Sequence, residues 1–287
     1  MIDKSSEIND LHRRMQLCQL DILKEFRKVC DSNHIPFYLA FGSCLGAIRH
    51  HGFIPWDDDI DVYMWKEDVD RLLKLQKTFP SNLFLQTRGT DPEFGLLIAR
   101  VRNSDTTLIE NDHRDRNINH GVYIDIYPLF YCPRGTFSMK FVVLESFLCR
   151  LLAYGAPPLH KGEIITRLAR LLLKTLPDTI RSRMTDWLYK DIVGRKETEF
   201  VSVFPDVSRG KRFLSKWFGE PVMSDFEGEK MPLPSNPEDY LAYEFGDYMQ
   251  LPPVDQRRIR HQYLFTDLEH SYLNYKGKQY CTNGNIG

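Results

Sequence analysis

The chain has 287 residues, 38 Lys and Arg against 39 Asp and Glu, and 42% hydrophobic residues. These proportions are typical of a globular protein with a sizeable core, and they exclude a collagen-like, coiled-coil or disordered chain. The net charge of −1 also excludes a globally basic nucleic-acid binder, so we expect no nucleic acid among the partners.

The N-terminal residues and the cysteines indicate a cytoplasmic protein. Charges recur every few positions up to Cys30, so the apolar core of a signal peptide is missing, and no stretch is apolar over the roughly 18 residues that a membrane span requires. The 6 cysteines form no CxxC pair, which argues against zinc and thioredoxin-like sites. We therefore expect reduced, mostly buried thiols and a location in the cytoplasm or at the inner face of the membrane.

The first half of the chain is predicted to alternate helices and strands, because apolar residues recur at helical spacing in some segments and at every second position in others. In chain order we predict a helix over 8–29, a strand over 35–41, a turn at Gly42-Ser43, helix 44–49, strand 59–64, helix 66–77, and strands over 83–86, 96–101, 106–109 and 122–127.

The pattern becomes helical from Met139 to about Glu199, and short elements return after it. Since there is neither an internal repeat nor a low-complexity linker, we predict a single catalytic domain over 1–287. Its core would comprise about 1–135 and 200–260, with a mostly helical insertion over about 139–199.

The densest chemical signal is an acidic cluster of Asp57, Asp58, Asp59 and Asp61. Like charges this close repel by about 1 kcal/mol per pair even in water, so a folded protein retains them most readily around a cation. On the predicted strand Asp59 and Asp61 point to the same face, and two carboxylates there suit Mg²⁺ or Mn²⁺. Asp57 ranks above Asp58 as a further ligand if the extended backbone begins early.

A third carboxylate and a glycine-serine turn complete the pattern. Asp125 alternates with apolar neighbours in its predicted strand, so it lies on the face opposite the core. Gly42 and Ser43 would present backbone N–H groups at a helix N-terminus to phosphate. This order is the layout of the nucleotidyltransferase fold, in which three carboxylates hold divalent metal for phosphoryl transfer. The predicted fold class is thus α/β (α+β), a mixed sheet flanked by helices.

The stretch from Gly42 to Val62, GSCLGAIRHHGFIPWDDDIDV, resembles the signature of the LicD family of phosphocholine transferases, to which the fukutin-related ribitol-phosphate transferases also belong. Shorter similarities are ARVRNSDTT at 99–107, IDIYPL at 124–129 and FGDYMQLPP at 245–253. The similarity spans about 35–255. Residues 139–199 have no recognisable match, and we expect acceptor choice to reside there.

The resemblance implies transfer of phosphocholine, or a similar phospho-alcohol, from CDP-choline or another CDP-alcohol, with release of CMP. The acceptor would be a hydroxyl of a cell-surface glycan such as lipopolysaccharide, teichoic acid or capsule, or of its lipid-linked precursor. Asp59, Asp61 and Asp125 are the expected catalytic residues, and these three and Asp57 are the expected ligands of Mg²⁺ (or Mn²⁺).

Donor contacts are expected from the glycine-serine turn and from arginine and aromatic side chains. Because choline is a quaternary ammonium, an aromatic cage is expected by cation–π attraction, with Trp56, Tyr127, Tyr38 and Trp217 as candidates. Arginine suits the pyrophosphate because its planar guanidinium binds phosphate bidentately. The full set of donor-binding candidates is Gly42, Ser43, Arg49, Arg102, Trp56 and Tyr127.

Other functions fit parts of the pattern. A nucleotidyltransferase would move NMP from an NTP, and a non-catalytic module would bind only a cation or a glycan. An EF-hand is excluded because Val62 stands where that loop requires glycine. His120 is a candidate neighbour of Asp125, and the apolar helices after Met139 are a candidate peripheral membrane contact.

Overall fold

The computed structural model describes residues 4–157, 162–259, 261 and 263–282. The helices are α1 (Lys4–Ser32), α2 (Phe41–His50), α3 (Lys66–Leu73), α4 (Thr136–Tyr154), α5 (Glu163–Thr175), α6 (Asp178–Val193) and α7 (Pro237–Phe245). The strands are β1 (Tyr38–Leu39), β2 (Asp61–Trp65), β3 (Leu83–Gln86), β4 (Ala99–Asn103), β5 (Thr107–Glu110), β6 (Val122–Cys132), β7 (Phe200–Ser202), β8 (Phe213–Leu214), β9 (Val222–Phe226), β10 (Glu229–Leu233) and β11 (Tyr263–Asp267).

A mixed sheet in the order β1-β2-β6-β4-β3 forms the centre, and β7 and β8 extend it from the far end of β6. Only the β2–β6 pair is parallel in this sheet as described; the other pairs are antiparallel. Strands flanked by helices in this arrangement confirm the predicted α/β (α+β) class. Further two-stranded pairs are β9–β10 and β5–β11.

The main core lies between the sheet and α1. Alternating residues of β2 and β6, such as Val62 and Ile124, are fully buried on one sheet face, and α1 packs on β6 and β4 with Leu23 and Phe26 buried. Burying apolar side chains at these positions is the main favourable contribution to folding. The opposite face of β2 and β6 is thereby left for polar side chains.

Helices α4 to α6 confirm the predicted helical segment and build a second cluster, in which Cys149, Leu152 and Ile192 pack against Phe204. The division into a core and an insertion within one domain remains a prediction. The 6 cysteines are free thiols, and Cys30, Cys44, Cys132 and Cys149 are buried, as expected for a reduced protein.

Several element boundaries differ from the predictions. The first strand is only Tyr38–Leu39, and α2 begins at Phe41, so Gly42 and Ser43 lie in the first helical turn. Strand β2 begins at Asp61, which leaves Asp59 in the preceding loop. The described chain also continues past residue 260, where the predicted core ends, because β11 pairs with β5; residues 283–287 lie outside the described residues.

Gly46 fixes the distance between α2 and the loop that leads to the acidic cluster. A Cβ on Gly46 would lie 2.4 Å from the carbonyl oxygen of Gly52 and 3.4 Å from the backbone nitrogen of Ile54. We therefore expect Gly46→Ala to lower the free energy of unfolding by about 1–3 kcal/mol through overpacking, measured by urea denaturation. Gly89→Ala is the matched control, since its nearest contact would be Thr87 Oγ1 at 3.5 Å. Equal stability of the two variants would contradict the close approach.

Candidate active site

The site is built on the only parallel strand pair of the described central sheet. Register places Asp61 of β2 directly beside Asp125 of β6, and the N–H of Asp125 donates to the carbonyl of Ile60 at 2.9 Å. Neighbouring residues in register point to the same face, so the two carboxylates stand side by side. Both are buried, at 7% and 6% exposure, although the strand alternation predicts only that they lie on the face opposite the core.

Three more carboxylates lie in the loop before β2. Oxygen atoms of Asp57, Asp58 and Asp59 all lie within 4.8 Å of one another. Buried glutamines of α1 hold this loop by its backbone: Gln16 Nε2 donates to the carbonyl of Asp57 at 2.8 Å, and Gln19 Nε2 donates to that of Asp58 at 3.0 Å. The loop backbone is thus held by α1 through its carbonyl groups and not through the carboxylates.

The first turn of α2 supports the same loop and strand. Ser43 Oγ accepts a hydrogen bond from the N–H of Asp61 at 3.0 Å, which ties the helix start to β2. Gly42 makes room for Asp57, because a Cβ there would lie 2.3 Å from Asp57 Oδ2. The carboxylate of Asp57 therefore lies against the helix start where the resemblance places donor phosphate.

Crowding and burial shift the titration of the carboxylates. Burial, together with the charges of Asp57, Asp58 and Asp125, raises the pKa of Asp59 to about 8. Burial and the charges of Asp59 and Asp125 hold the pKa of Asp61 well above its usual range. In addition, the buried Asp61 Oδ1 has no hydrogen-bond partner among the described residues.

These observations fit a divalent cation. An unpartnered buried carboxylate oxygen amid like charges costs free energy that a bound ion would offset. The donor atoms are all carboxylate oxygens, the ligands that Mg²⁺ and Mn²⁺ prefer. The residues placed to hold such an ion are Asp57, Asp58, Asp59, Asp61 and Asp125.

Two cationic groups of the chain compensate part of this charge. Arg100 Nε donates to Asp125 Oδ1 at 2.6 Å and Arg100 Nη1 to Glu110 at 2.6 Å, with the guanidinium 3.6 Å from the centre of the Tyr123 ring. His261 contacts Asp58 at 3.0 Å, and this hydrogen bond raises the pKa of His261 to about 9. The histidine is therefore charged at neutral pH and pairs with the loop.

Two predicted residues lie in the interior. Arg102 is fully buried, and its guanidinium donates to Gln86, Glu110 and the carbonyl of Gly121; this burial argues against direct contact with a donor pyrophosphate. The arginine that touches a site carboxylate is Arg100. His120 is also fully buried, with its pKa lowered to about 4 by burial, and its ring bonds to the carbonyl of Arg116 rather than to Asp125.

A pair of arginines lies beside the acidic loop. Arg49 Nη1 donates to the carbonyl of Tyr248 at 2.7 Å, and the Arg257 guanidinium is 5.5 Å from the ring centre of Trp56. Burial and the adjacent charge of Arg257 lower the pKa of Arg49. Neither arginine forms an ion pair with another described residue, so both are available for an anion.

The aromatic candidates divide into two groups. Tyr38 and Trp217 are buried in the core, where the Tyr38 hydroxyl donates to the carbonyl of Phe218, so neither can line an open cage. Tyr127 is partly buried against Phe41 and Tyr63. Trp56 is partly exposed, and its ring centre lies 6.2 Å from that of His50 in an edge-on arrangement. Only these two remain near the acidic residues.

Sequence reasoning missed four residues that organise the site. Gln16 and Gln19 gave a usable signal, because polar residues on the buried side of a long amphipathic helix need partners. His261 and Arg257 gave none, since they approach the acidic loop from some 200 residues away in sequence, as in the 203-residue separation of His261 and Asp58.

Comparisons with known proteins agree on the family. Residues 34–147 match the LicD model, described as LicD/FKTN/FKRP, nucleotidyltransferase domain. The lipopolysaccharide cholinephosphotransferase LicD of Haemophilus influenzae is 25% identical over 263 residues, covering 87% of this chain and 95% of that protein. The ribitol 5-phosphate transferase FKRP of Mus musculus is 28% identical over 130 residues, covering 42% of this chain but only 23% of FKRP.

The raised pKa values give a test by stability. A folded protein with raised carboxyl pKa values binds more protons than the unfolded chain, so its stability falls as pH rises from about 4 to about 8. For the metal-free protein near pH 8, we expect Asp61→Asn to raise the free energy of unfolding by about 1–3 kcal/mol. The same substitution should abolish the rise in melting temperature that Mg²⁺ gives the wild type.

The exposed Asp105 supplies the control, because Asp105→Asn should alter neither quantity. A wild-type melting temperature that does not change when Mg²⁺ or Mn²⁺ is added would contradict the cation site.

Proposed function

Residues 34–147 belong to the LicD/FKTN/FKRP nucleotidyltransferase family, whose named relatives are phosphotransferases, and on this basis we propose that the chain transfers a phospho-alcohol group from a CDP-activated donor to a glycan hydroxyl. One observation supports this most directly. The buried carboxylates of Asp61 and Asp125 stand side by side on β2 and β6, with the acidic loop beside them. Such a cluster is the ligand set of metal-assisted phosphoryl transfer.

The acidic cluster would bind Mg²⁺ or Mn²⁺, and the ion would neutralise charge on the donor phosphates. The remaining work falls to the chain itself. Ser43 and the two α1 glutamines hold the backbone of the carboxylate ligands, which fixes the ligands before the donor arrives. Asp125 keeps Oδ1 on Arg100, so its other oxygen is the candidate for the acceptor hydroxyl proton.

The donor would lie between the acidic cluster and the arginine pair. Arg49 and Arg257 supply the positive charge that a pyrophosphate requires, and their mutual repulsion favours an anion between them. Trp56 beside Arg257, and Tyr127 near Asp61, are the aromatic groups placed to contact a base or a choline.

For the alcohol, we propose choline first, because the relative that aligns along 95% of its length is a cholinephosphotransferase of lipopolysaccharide. Ribitol is the alternative, since FKRP is a ribitol 5-phosphate transferase. The acceptor would then be a surface glycan or its lipid-linked precursor, modified on the cytoplasmic side where CDP-alcohols are made. The described residues contain no helix long and apolar enough to cross a membrane.

The decisive assay offers Mg²⁺, CDP-choline, CDP-ribitol or CDP-glycerol, and free or lipid-linked oligosaccharide to the purified chain. We expect CMP and a phosphodiester product from wild type, with a loss of about 100-fold or more for Asp125→Asn in protein that still unfolds cooperatively. Pyrophosphate release from an NTP with a nucleotidylated acceptor would assign the nucleotidyl-transfer reaction instead. Wild type that releases no more CMP than Asp59→Ala or Asp61→Ala, whichever CDP-alcohol is supplied, would overturn the donor assignment.

The arginine pair yields a kinetic prediction. We expect Arg257→Met to raise KM for the CDP-alcohol about tenfold with little change in kcat, because a ground-state contact to the donor is removed. The neighbouring Arg258→Met is the matched control, since Arg258 is exposed and has no ion pair with another described residue. An equal effect of the two substitutions would show that general charge, not the pair, governs donor binding.

A further inference from the structure

Helices α4, α5 and α6 each expose a row of large apolar side chains at helical spacing. The three rows, with positions i, i+4 and i+7, are Phe137, Phe141 and Leu144 on α4, Ile164, Leu168 and Leu171 on α5, and Ile180, Met184 and Trp187 on α6. Isolated exposed apolar residues are ordinary, but repeated rows on neighbouring helices mark an interaction surface.

The α5 helix shows the clearest segregation. Ile164, Leu168 and Leu171 are 76%, 62% and 59% exposed, and only Ala169 of this helix is buried. Arg167, Arg170 and Lys174 follow one flank of the exposed row, spaced by three and four residues. An apolar row bordered by basic residues is the signature of a helix that lies in the interface of a bilayer.

Charge pairing on the three helices leaves a positive surplus. Every acidic residue of α4, α5 and α6 already forms an ion pair: Glu145 and Asp191 with Arg195, Glu163 with Arg167, Asp178 with Arg181, and Asp186 with Arg88. The exposed cations of the three helices that have no ion pair with another described residue are Lys140, Arg150, Arg170, Lys174, Arg183 and Lys190. This region is therefore cationic although the whole chain carries a net charge of −1.

We propose that α4 to α6 form a docking surface for an anionic lipid bilayer. The exposed apolar rows, Leu168 among them, enter the headgroup region, and the cations that have no ion pair contact lipid phosphates. Each Lys or Arg near an anionic membrane strengthens binding several-fold. A second copy of the chain fits less well, because two surfaces with the same positive surplus repel each other. The inference rests on the proposed function in one respect only: docking on the bilayer would bring the site to a lipid-linked acceptor.

The test is flotation of the 287-residue chain with vesicles of phosphatidylcholine, with or without phosphatidylglycerol. We expect binding to the anionic vesicles that weakens with added salt. Leu168→Asn should reduce the vesicle partition coefficient about fivefold, and Arg170→Gln with Lys174→Gln about tenfold. The matched controls, Leu273→Asn (64% exposed) and Lys74→Gln with Lys77→Gln, should bind like wild type.

Three outcomes would contradict the proposed docking surface. These are no flotation with anionic vesicles, flotation that the α5 substitutions leave unchanged, and a concentration-dependent dimer in analytical ultracentrifugation that Leu168→Asn returns to monomer. Binding is measured without donor or acceptor, so a failure of the proposed chemistry does not affect it.

Discussion

Mutual repulsion of buried carboxylates is the interaction on which the architecture of the site depends. Asp61 and Asp125 are brought together by the parallel pairing of β2 and β6, and the acidic loop adds three more charges. Such a group cannot remain ionised in a low-dielectric site unless cations lie close by. Burial first, and then the neighbouring carboxylates, raise the pKa values of Asp59 and Asp61, and the chain's own cations compensate only part of these effects.

The compensation that the chain does provide is arranged asymmetrically. Arg100 binds Asp125 on one side and Glu110 on the other. Glu110 also accepts a hydrogen bond from the Tyr123 hydroxyl and is hydrogen-bonded to the ring of His113. This network fixes the β6 side of the site. On the loop side the only comparable partner described is His261, which is fixed nearby because β11 pairs with β5 at Glu110. The C-terminal segment, outside the 34–147 family match, therefore takes part in shaping the site.

The sequence predicted the strand faces, which depend on local periodicity. It did not predict the contacts between residues that are distant in sequence. Alternation placed Asp61 and Asp125 on the polar face of their strands, and the structure agrees. The same alternation puts Arg100 and Arg102 on one face of β4, so it could not distinguish the arginine that reaches Asp125 from the one buried against Gln86. Asp59 was placed on a strand for the same reason, whereas glutamines of α1 hold its loop outside the sheet.

Local segregation of charge links the two ends of the proposed reaction. In the candidate active site carboxylates outnumber the cations beside them. This imbalance supports the proposed metal ion, and Arg49 and Arg257 support the proposed phosphorylated donor. On α4 to α6 the imbalance is reversed, because the acids are paired and exposed cations remain. In our proposal an anionic bilayer would attract these helices through the exposed cations. A net charge of −1 is thus compatible with both proposals, a metal-bound donor at one place and a lipid surface at another, because the charges of the chain are separated in space.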